Sequence, residues 1–423
     1  MKILLVTSNL PYPLTTGGKI RVWHLLQQIA QRHEVTLLSL LDSADDIQFL
    51  PELQPYCTRV ETVVKQRRRP RGKLLLRLLW TMFKGQPPRN GIAYYGEMKR
   101  KVQEIASDHS FDIIHVEGSY MAPYIEFMAN ADSAARLITL SDVGAIQCER
   151  ILKVESDLWG RFWTWLDWFF LRRWEPTYLA RHFDKCIVVS PIDEALLRQA
   201  NPALDLVVVP NGVDTARYDL LPEVPASKDV LFIGKMSYVP NVDGATFFCQ
   251  EIFPLIKQRV PGTRLLIVGQ SPTETVRTLA SDDVIVTGYV ESVIPYYQQA
   301  LVSIVPLRAG GGTRLKILES MAMGRPVVST TLGCEGLAVT HGENILVADD
   351  PADFATQTIR LLSDAELRRR LVVNGRWLVE TTYDWQVIAQ QLLQIYGEAG
   401  SKSCLTLRQP NGTVAPFQDR PCK

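Results

Sequence analysis

Residues 310–328 read GGGTRLKILESMAMGRPVV and form the most specific chemical constellation in the chain. Gly310, Gly311 and Gly312 carry no Cβ, so their backbone amides can come close to a donor sugar or a diphosphate. Thr313 follows them. Arg314 and Lys316 are two cations able to neutralise phosphate, and Glu319 is a carboxylate able to accept hydrogen bonds from ribose hydroxyls. This set would make a good nucleotide-sugar site; the bland alternative is a helix start with a surface glutamate. A second stretch, GGKIR at 17–21, places Gly17 and Gly18 where a first helix opens, and free N–H groups at a helix start attract phosphate. Taken alone, a Gly-Gly pair is more often only a turn. It is not the GxGxxG dinucleotide fingerprint, which argues against a dehydrogenase.

The elements that must position these residues follow a repeated pattern. The run at 3–7 is a continuous β-branched and leucine stretch, as a buried parallel strand requires, and helix 19–30 and strand 34–41 come after it. Further strands are predicted at 112–116, 136–140, 185–190 and 206–209, with helical stretches between most of them. The pattern then restarts with strands at 229–234, 264–269, 284–287, 301–306, 326–329 and 345–347, and with a helix over 243–260. Helix 352–362 follows from its apolar spacing, and a second over 366–379 is interrupted by Gly375. The whole reads as an α/β chain of two Rossmann-like halves, with a boundary near 190–225 where Pro202, Pro210, Pro222 and Pro225 cluster. Gly324 stops the helix of the 310–328 segment, and Pro326 opens the next strand.

Composition narrows the function. The 423 residues carry 46 Lys plus Arg against 45 Asp plus Glu, a balance that argues against a nucleic-acid binder relying on a global basic field. No two of the seven cysteines have CxxC spacing, so neither a disulfide framework nor a zinc site is indicated, and a reducing cytoplasm fits best. No DxD pair sits in a loop after a strand; Asp45–Asp46, Asp282–Asp283 and Asp349–Asp350 read as surface or strand-edge acids, so no metal is expected. Residues 1–10 are too short for a signal peptide, and no uncharged apolar run reaches the roughly 18 residues of a membrane span. Two segments depart from the regular pattern. Residues 65–90 hold nine Lys or Arg and no acid among many leucines, and residues 158–174 hold five Trp and three Phe. Basic, aromatic-rich helices suit the headgroup layer of an anionic membrane; the alternative is a solvated basic loop and a helix packed on its own domain.

The sequence resembles the family 4 glycosyltransferases, retaining enzymes of the GT-B fold. The resemblance runs from ILLVTSNLPYPLTTGGKIR to the helix around Trp385, through FDIIHVEG at 111–118, VVSPIDEALLR at 188–198, VPNGVDTARY at 209–218, FIGKMSYVPNVDG at 232–244 and the 310–328 segment. It looks closest to bacterial sugar transferases of exopolysaccharide or lipid-linked glycan assembly. It is this resemblance that weighs against reading 310–328 as only a helix start with a surface glutamate. The fold implied is two Rossmann-like domains whose parallel sheets face across a cleft. Residues 1–200 would be an acceptor domain and 201–383 a donor domain, with a helix at about 384–399 packing back on the first and a disordered tail over 400–423.

Carried over residue by residue, the resemblance implies that Gly17 and Gly18 lie against the donor diphosphate or sugar with Arg21 nearby. His115 would face the donor sugar, with Glu117 close by, although a lone His after a strand is as often structural. Lys235, after Gly234, stands where an Arg commonly contacts the diphosphate, and Glu319 matches the ribose-binding carboxylate. Lys235, Arg314, Lys316 and His115 are thus the expected catalytic set. Asn211 and Asp214 are expected to shape the interdomain turn. Three departures stand out: Gly311 replaces the first of two glutamates eight positions apart, PNVDG with Asn241 replaces a second cation, and further histidines near His115 are missing.

The expected reaction moves a sugar from a UDP- or GDP-type nucleotide-diphosphate sugar to an acceptor hydroxyl, without cofactor or metal. Retention, by same-face attack with the leaving phosphate as base, is implied by the resemblance alone. The acceptor would be a glycan or lipid-linked molecule, met at the inner face of the plasma membrane through segments 65–90 and 158–174. Competing readings are a non-catalytic nucleotide-sugar-binding scaffold, favoured by Gly311, and a nucleotide-sugar epimerase on the same fold.

Overall fold

In strand β1 (Lys2–Thr7) every residue but Lys2 is buried, which is the burial of a strand covered on both faces. The computed structural model describes residues 1–65, 71–128, 134–155, 157–224 and 226–405, without the side chains of 71–73 and 402–405. Around β1 lie β2 (Glu34–Leu41), β3 (Arg59–Val64), β4 (Ile113–Glu117), β5 (Ala135–Leu140), β6 (Lys185–Val188) and β7 (Leu206–Val208). They form one parallel sheet in the order β3-β2-β1-β4-β5-β6-β7. The second half repeats the plan with β8 (Asp229–Ile233), β9 (Arg264–Val268), β10 (Val284–Val286), β11 (Val302–Val305), β12 (Val327–Ser329) and β13 (Leu346–Val347). Their order is β10-β9-β8-β11-β12-β13, again all parallel. In each half the chain therefore starts in the middle, winds outward one way, then jumps back across. The reversal creates a crevice at the strand carboxyl ends, where open α/β sheets bind ligands.

Both faces of each sheet are covered. On one side of the first sheet, Leu26 and Ile29 of helix Gly17–Ile29 pack with Ile388, Leu392 and Tyr396 of the C-terminal helix Trp385–Leu405. The chain thus ends by returning to the half in which it began. That helix runs through Gly400, where a disordered tail was expected; residues 406–423 lie outside the described residues.

Two helices differ from expectation for physical reasons. The helix predicted over 243–260 is built from Val239–Phe247, a π-helical turn at Phe248–Ile252 and Phe253–Arg259. Pro254 has no N–H to donate, and the wider turn lies just ahead of it. Helix Ala365–Leu378 does not break at Gly375. A Cβ there would come within 3.1 Å of Met321 Cγ, so this glycine allows the helix to pack closely on Leu315–Ala322.

The aromatic segment forms one helix, Leu158–His182, and the basic segment forms helices Arg71–Phe83 and Pro88–Ala93; residues 66–70 lie outside the described residues. Among the described residues, no helix is long and apolar enough to cross a membrane.

Candidate functional site

The two sets of strand ends meet through a series of contacts between the halves. Where Gly17 would carry a Cβ, Leu315 Cδ1 is 3.2 Å away, so the first glycine helix abuts the start of helix Leu315–Ala322. Thr313 Oγ1 donates to the Val189 carbonyl at 3.2 Å, and Gln270 Nε2 donates to the Thr15 carbonyl at 3.3 Å. Arg150 makes a forked ion pair with Glu335 and donates to the Gly310 carbonyl at 3.1 Å. These contacts bring the 17–21 and 310–328 segments to one place.

On the C-terminal side the glycine loop needs its glycines. Gly310 and Gly312 adopt φ of +107° and +68°, in the left-handed region that an L side chain resists. The amides of Gly312, Thr313, Leu315 and Lys316 have no acceptor among the described residues. Helix Leu315–Ala322 has no side-chain cap and no acid in its first turn. A row of unpaired N–H groups at an uncapped helix start attracts an anion. Lys316 Nζ donates to Asn241 Oδ1 at 2.9 Å and stands 4.5 Å over the Phe232 ring, close to Gly234. Burial, followed by the Arg314 charge, pulls the Lys316 ammonium down to about 7. Asn241 Nδ2 in turn holds the Lys235 carbonyl at 3.0 Å, while the exposed Lys235 ammonium has no partner among the described residues. One helical turn beyond Lys316, the Glu319 carboxylate accepts no hydrogen bond among the described residues, and burial raises its pKa.

Other expected site residues are turned away from this opening. Arg314 is buried, and its guanidinium donates to the carbonyls of Gly311 and Ala309 within its own loop. It braces the glycine loop; it does not reach out of it. Arg21 is 1% exposed and donates to the Pro210 carbonyl at 2.7 Å and to Asn211 Oδ1 at 3.0 Å. It ties the first helix to the turn between the halves, and Asp214 Oδ1 caps the Arg217 amide in that same turn at 3.0 Å. His115, also 1% exposed, has Nδ1 on the Tyr396 hydroxyl and Nε2 on Thr139 Oγ1 at 2.7 Å. Burial and then the Arg21 charge lower it to about 3, so it is neutral at physiological pH. Glu117 lies 3.5 Å from His115 Nε2, and burial pushes its carboxyl up to about 7. Arg21, His115, Glu117, Thr139 and Tyr396 therefore form one buried polar cluster in the first half, with Arg21 Nε and Nη2 left without an acceptor among the described residues. The sequence reading missed Thr139, Tyr396 and the Arg150–Glu335 clasp, since none lies in a motif.

Two winding sheets whose carboxyl ends meet around a glycine loop, an uncapped helix start and two lysines define a GT-B glycosyltransferase. The family model for glycosyl transferases group 1 matches residues 227–364, and the glycosyl transferase 4-like domain matches 16–212. The chain belongs to this family, the family 4 glycosyltransferases, and is a glycosyltransferase. It is 31% identical to a phosphatidyl-myo-inositol mannosyltransferase of Mycobacterium tuberculosis over 209 residues, 45% of this chain and 54% of that one. It superposes on sucrose-phosphate synthase from Thermosynechococcus elongatus with a TM-score of 0.72, at 21% identity over 95% of this chain and 99% of the other. Anabaena Alr3699/HepE, solved with UDP and glucose, superposes with a TM-score of 0.66, at 17% identity over 94% and 100% of the two chains. Likeness at these identities is a likeness of fold.

Proposed function

We propose that this glycosyltransferase takes its sugar from a nucleotide-diphosphate sugar of the UDP or GDP type and passes it, with retention, to a lipid-linked acceptor of exopolysaccharide or related glycan assembly. One observation carries the donor reading: the amides of Gly312, Thr313, Leu315 and Lys316 have no acceptor among the described residues at the start of the helix that carries Lys316 and the undonated Glu319 carboxylate, where the halves meet. As the glycosidic bond stretches, negative charge grows on the diphosphate. Preorganised amides and ammonium groups that meet that charge stabilise the transition state more than the ground state. Glu319 accepts hydrogen bonds from the ribose. The UDP complex of the Anabaena structure supports a nucleotide at this kind of site. The reading assigns neutralisation of the leaving group to amides and lysines, without a metal or cofactor, and activity that persists in EDTA is its expected outcome. Thermal-shift titration with UDP, GDP and their sugar conjugates tests donor binding, since a ligand of the folded state raises Tm. An inverted product anomer by NMR would sink retention.

The acceptor reading rests on the surface of the first half. Trp80 and Phe83 of helix Arg71–Phe83 are exposed, as are Trp159, Phe162, Trp163 and Trp165 of helix Leu158–His182. Lys84 Nζ lies 5.1 Å over Trp80, and the Arg172 guanidinium 5.2 Å over the exposed Phe169 ring. Helix Pro88–Ala93 holds the two together through Arg89 and Asp167, paired at 3.3 Å. Exposed rings with cations over them suit an anionic headgroup layer at the cytoplasmic face. The mannosyltransferase relative, whose name gives it a lipid acceptor, supports this reading. Flotation with phosphatidylglycerol vesicles at low salt should carry the protein upward, and Trp80→Ser with Trp159→Ser should leave it at the bottom.

A further inference from the structure

Strand β5 ends at Leu140, and Ser141 and Asp142 follow at its carboxyl end before helix Gly144–Val154 begins. Asp142 belongs to the first half but lies against the glycine loop of the second. Its Oδ1 is 2.8 Å from where a Gly311 Cβ would stand and 2.7 Å from the equivalent point on Gly312. The other oxygen is held: Oδ2 accepts from Gln147 Nε2 at 3.1 Å. Gln147 also reaches the Tyr238 hydroxyl at 3.4 Å, and the Gly311 amide donates to that same hydroxyl. Asp142 is thus oriented by a chain of polar contacts that spans both halves, while Oδ1 is buried and accepts no hydrogen bond. Burial pushes this carboxyl up to about 6 although Arg314 opposes the rise. A buried carboxylate oxygen without a donor costs stability, and such orphans in a native structure call for a missing partner. The Gly312 amide likewise has no acceptor among the described residues, and a hydroxyl, which both donates and accepts, would serve both groups.

We propose that Asp142 recognises the donor sugar, its Oδ1 accepting a hydrogen bond from a sugar hydroxyl at the Gly310–Gly312 loop. It supplies from the first half the carboxylate that the loop lacks at Gly311. The inference rests on the donor reading above. It also explains why position 311 is glycine: a side chain there would run into Asp142. The carboxylate and the bare loop position are a reciprocal pair, and sugar recognition becomes contingent on the two halves being together.

The test separates sugar from nucleotide. Calorimetric affinities are measured for UDP and UDP-glucose, and for GDP and GDP-mannose, on the full chain. In Asp142→Asn, the preferred sugar nucleotide weakens about ten- to hundredfold while its parent nucleotide stays within about twofold, as expected when a charged hydrogen bond is lost. Gly311→Glu alone loses sugar-nucleotide binding, and the double variant Asp142→Ala/Gly311→Glu recovers it. Unchanged sugar-nucleotide binding in Asp142→Asn overturns the proposal. So does equal weakening of nucleotide and sugar nucleotide, which would make Asp142 a structural residue. If the unaltered chain binds none of the four, the donor reading itself fails and takes this inference with it.

Discussion

Each half of the molecule opens a helix on glycines at the meeting of the sheets, and both starts lack a side-chain cap and a first-turn acid; the difference lies in the charged side chains beside them. Below helix Gly17–Ile29, His115 is held on both ring nitrogens by Tyr396 and Thr139, and Arg21 is held through Nη1 by the turn at Pro210 and Asn211, while its buried Nε and Nη2 find no acceptor among the described residues. At helix Leu315–Ala322, amides, the Lys235 ammonium and the Glu319 carboxylate are left without partners among the described residues. Buried polar groups are normally paired, so an unpaired one such as Glu319 calls for a partner from outside the chain or another explanation. The first half buries its charged side chains behind the glycine turn, and the second leaves the Lys235 ammonium exposed and the Glu319 carboxylate without a donor among the described residues.

Substitutions can break this contrast in order of expected effect. Lys316→Ala removes a cation from the first turn of the uncapped helix and should lower kcat/KM by about 10²–10³, the usual cost of losing a preorganised charge-stabilising group. His115→Ala should cost about 2–4 kcal/mol in stability, from lost packing and two hydroxyls left unpaired. Nucleotide affinity in that variant should stay within about twofold; a large loss there with Tm unchanged would return His115 to the binding site. Glu319→Gln should weaken nucleotide binding about tenfold with little change in Tm, measured by calorimetry.

The smallest effect is one of pH. Lys316, lowered to about 7, is largely neutral above that value, and a bound diphosphate raises its pKa again. Binding therefore takes up a proton above pH 7. Affinity should be flat below about pH 7 and fall by up to about tenfold per unit above it. Calorimetry in buffers of different ionisation enthalpy should show the proton uptake, and Lys316→Arg should abolish it.

Several of these features were legible before any fold was known. The strands that carry the site are continuous apolar runs, and the glycine loop is a local pattern whose backbone demands travel with it. Helix Ala365–Leu378 shows the limit: Gly375 read as a break because its partner, Met321, lies in another segment. His115 and Arg21 stand in the expected positions along the chain, but the C-terminal helix delivers Tyr396 onto one and the interdomain turn covers the other. Arg314 is next to the loop in sequence, yet its guanidinium folds back on Gly311 and Ala309.

The sequence by itself determined the α/β class, the duplicated winding and the two glycine-led helix starts. Those properties follow from local periodicity and backbone freedom, which a short stretch of chain already specifies. Only the tertiary structure decided which charged side chains are spent and which are free. It also decided that a carboxylate after β5 would lie on the bare loop at Gly311, because pairing and burial depend on segments that meet only when both halves have folded.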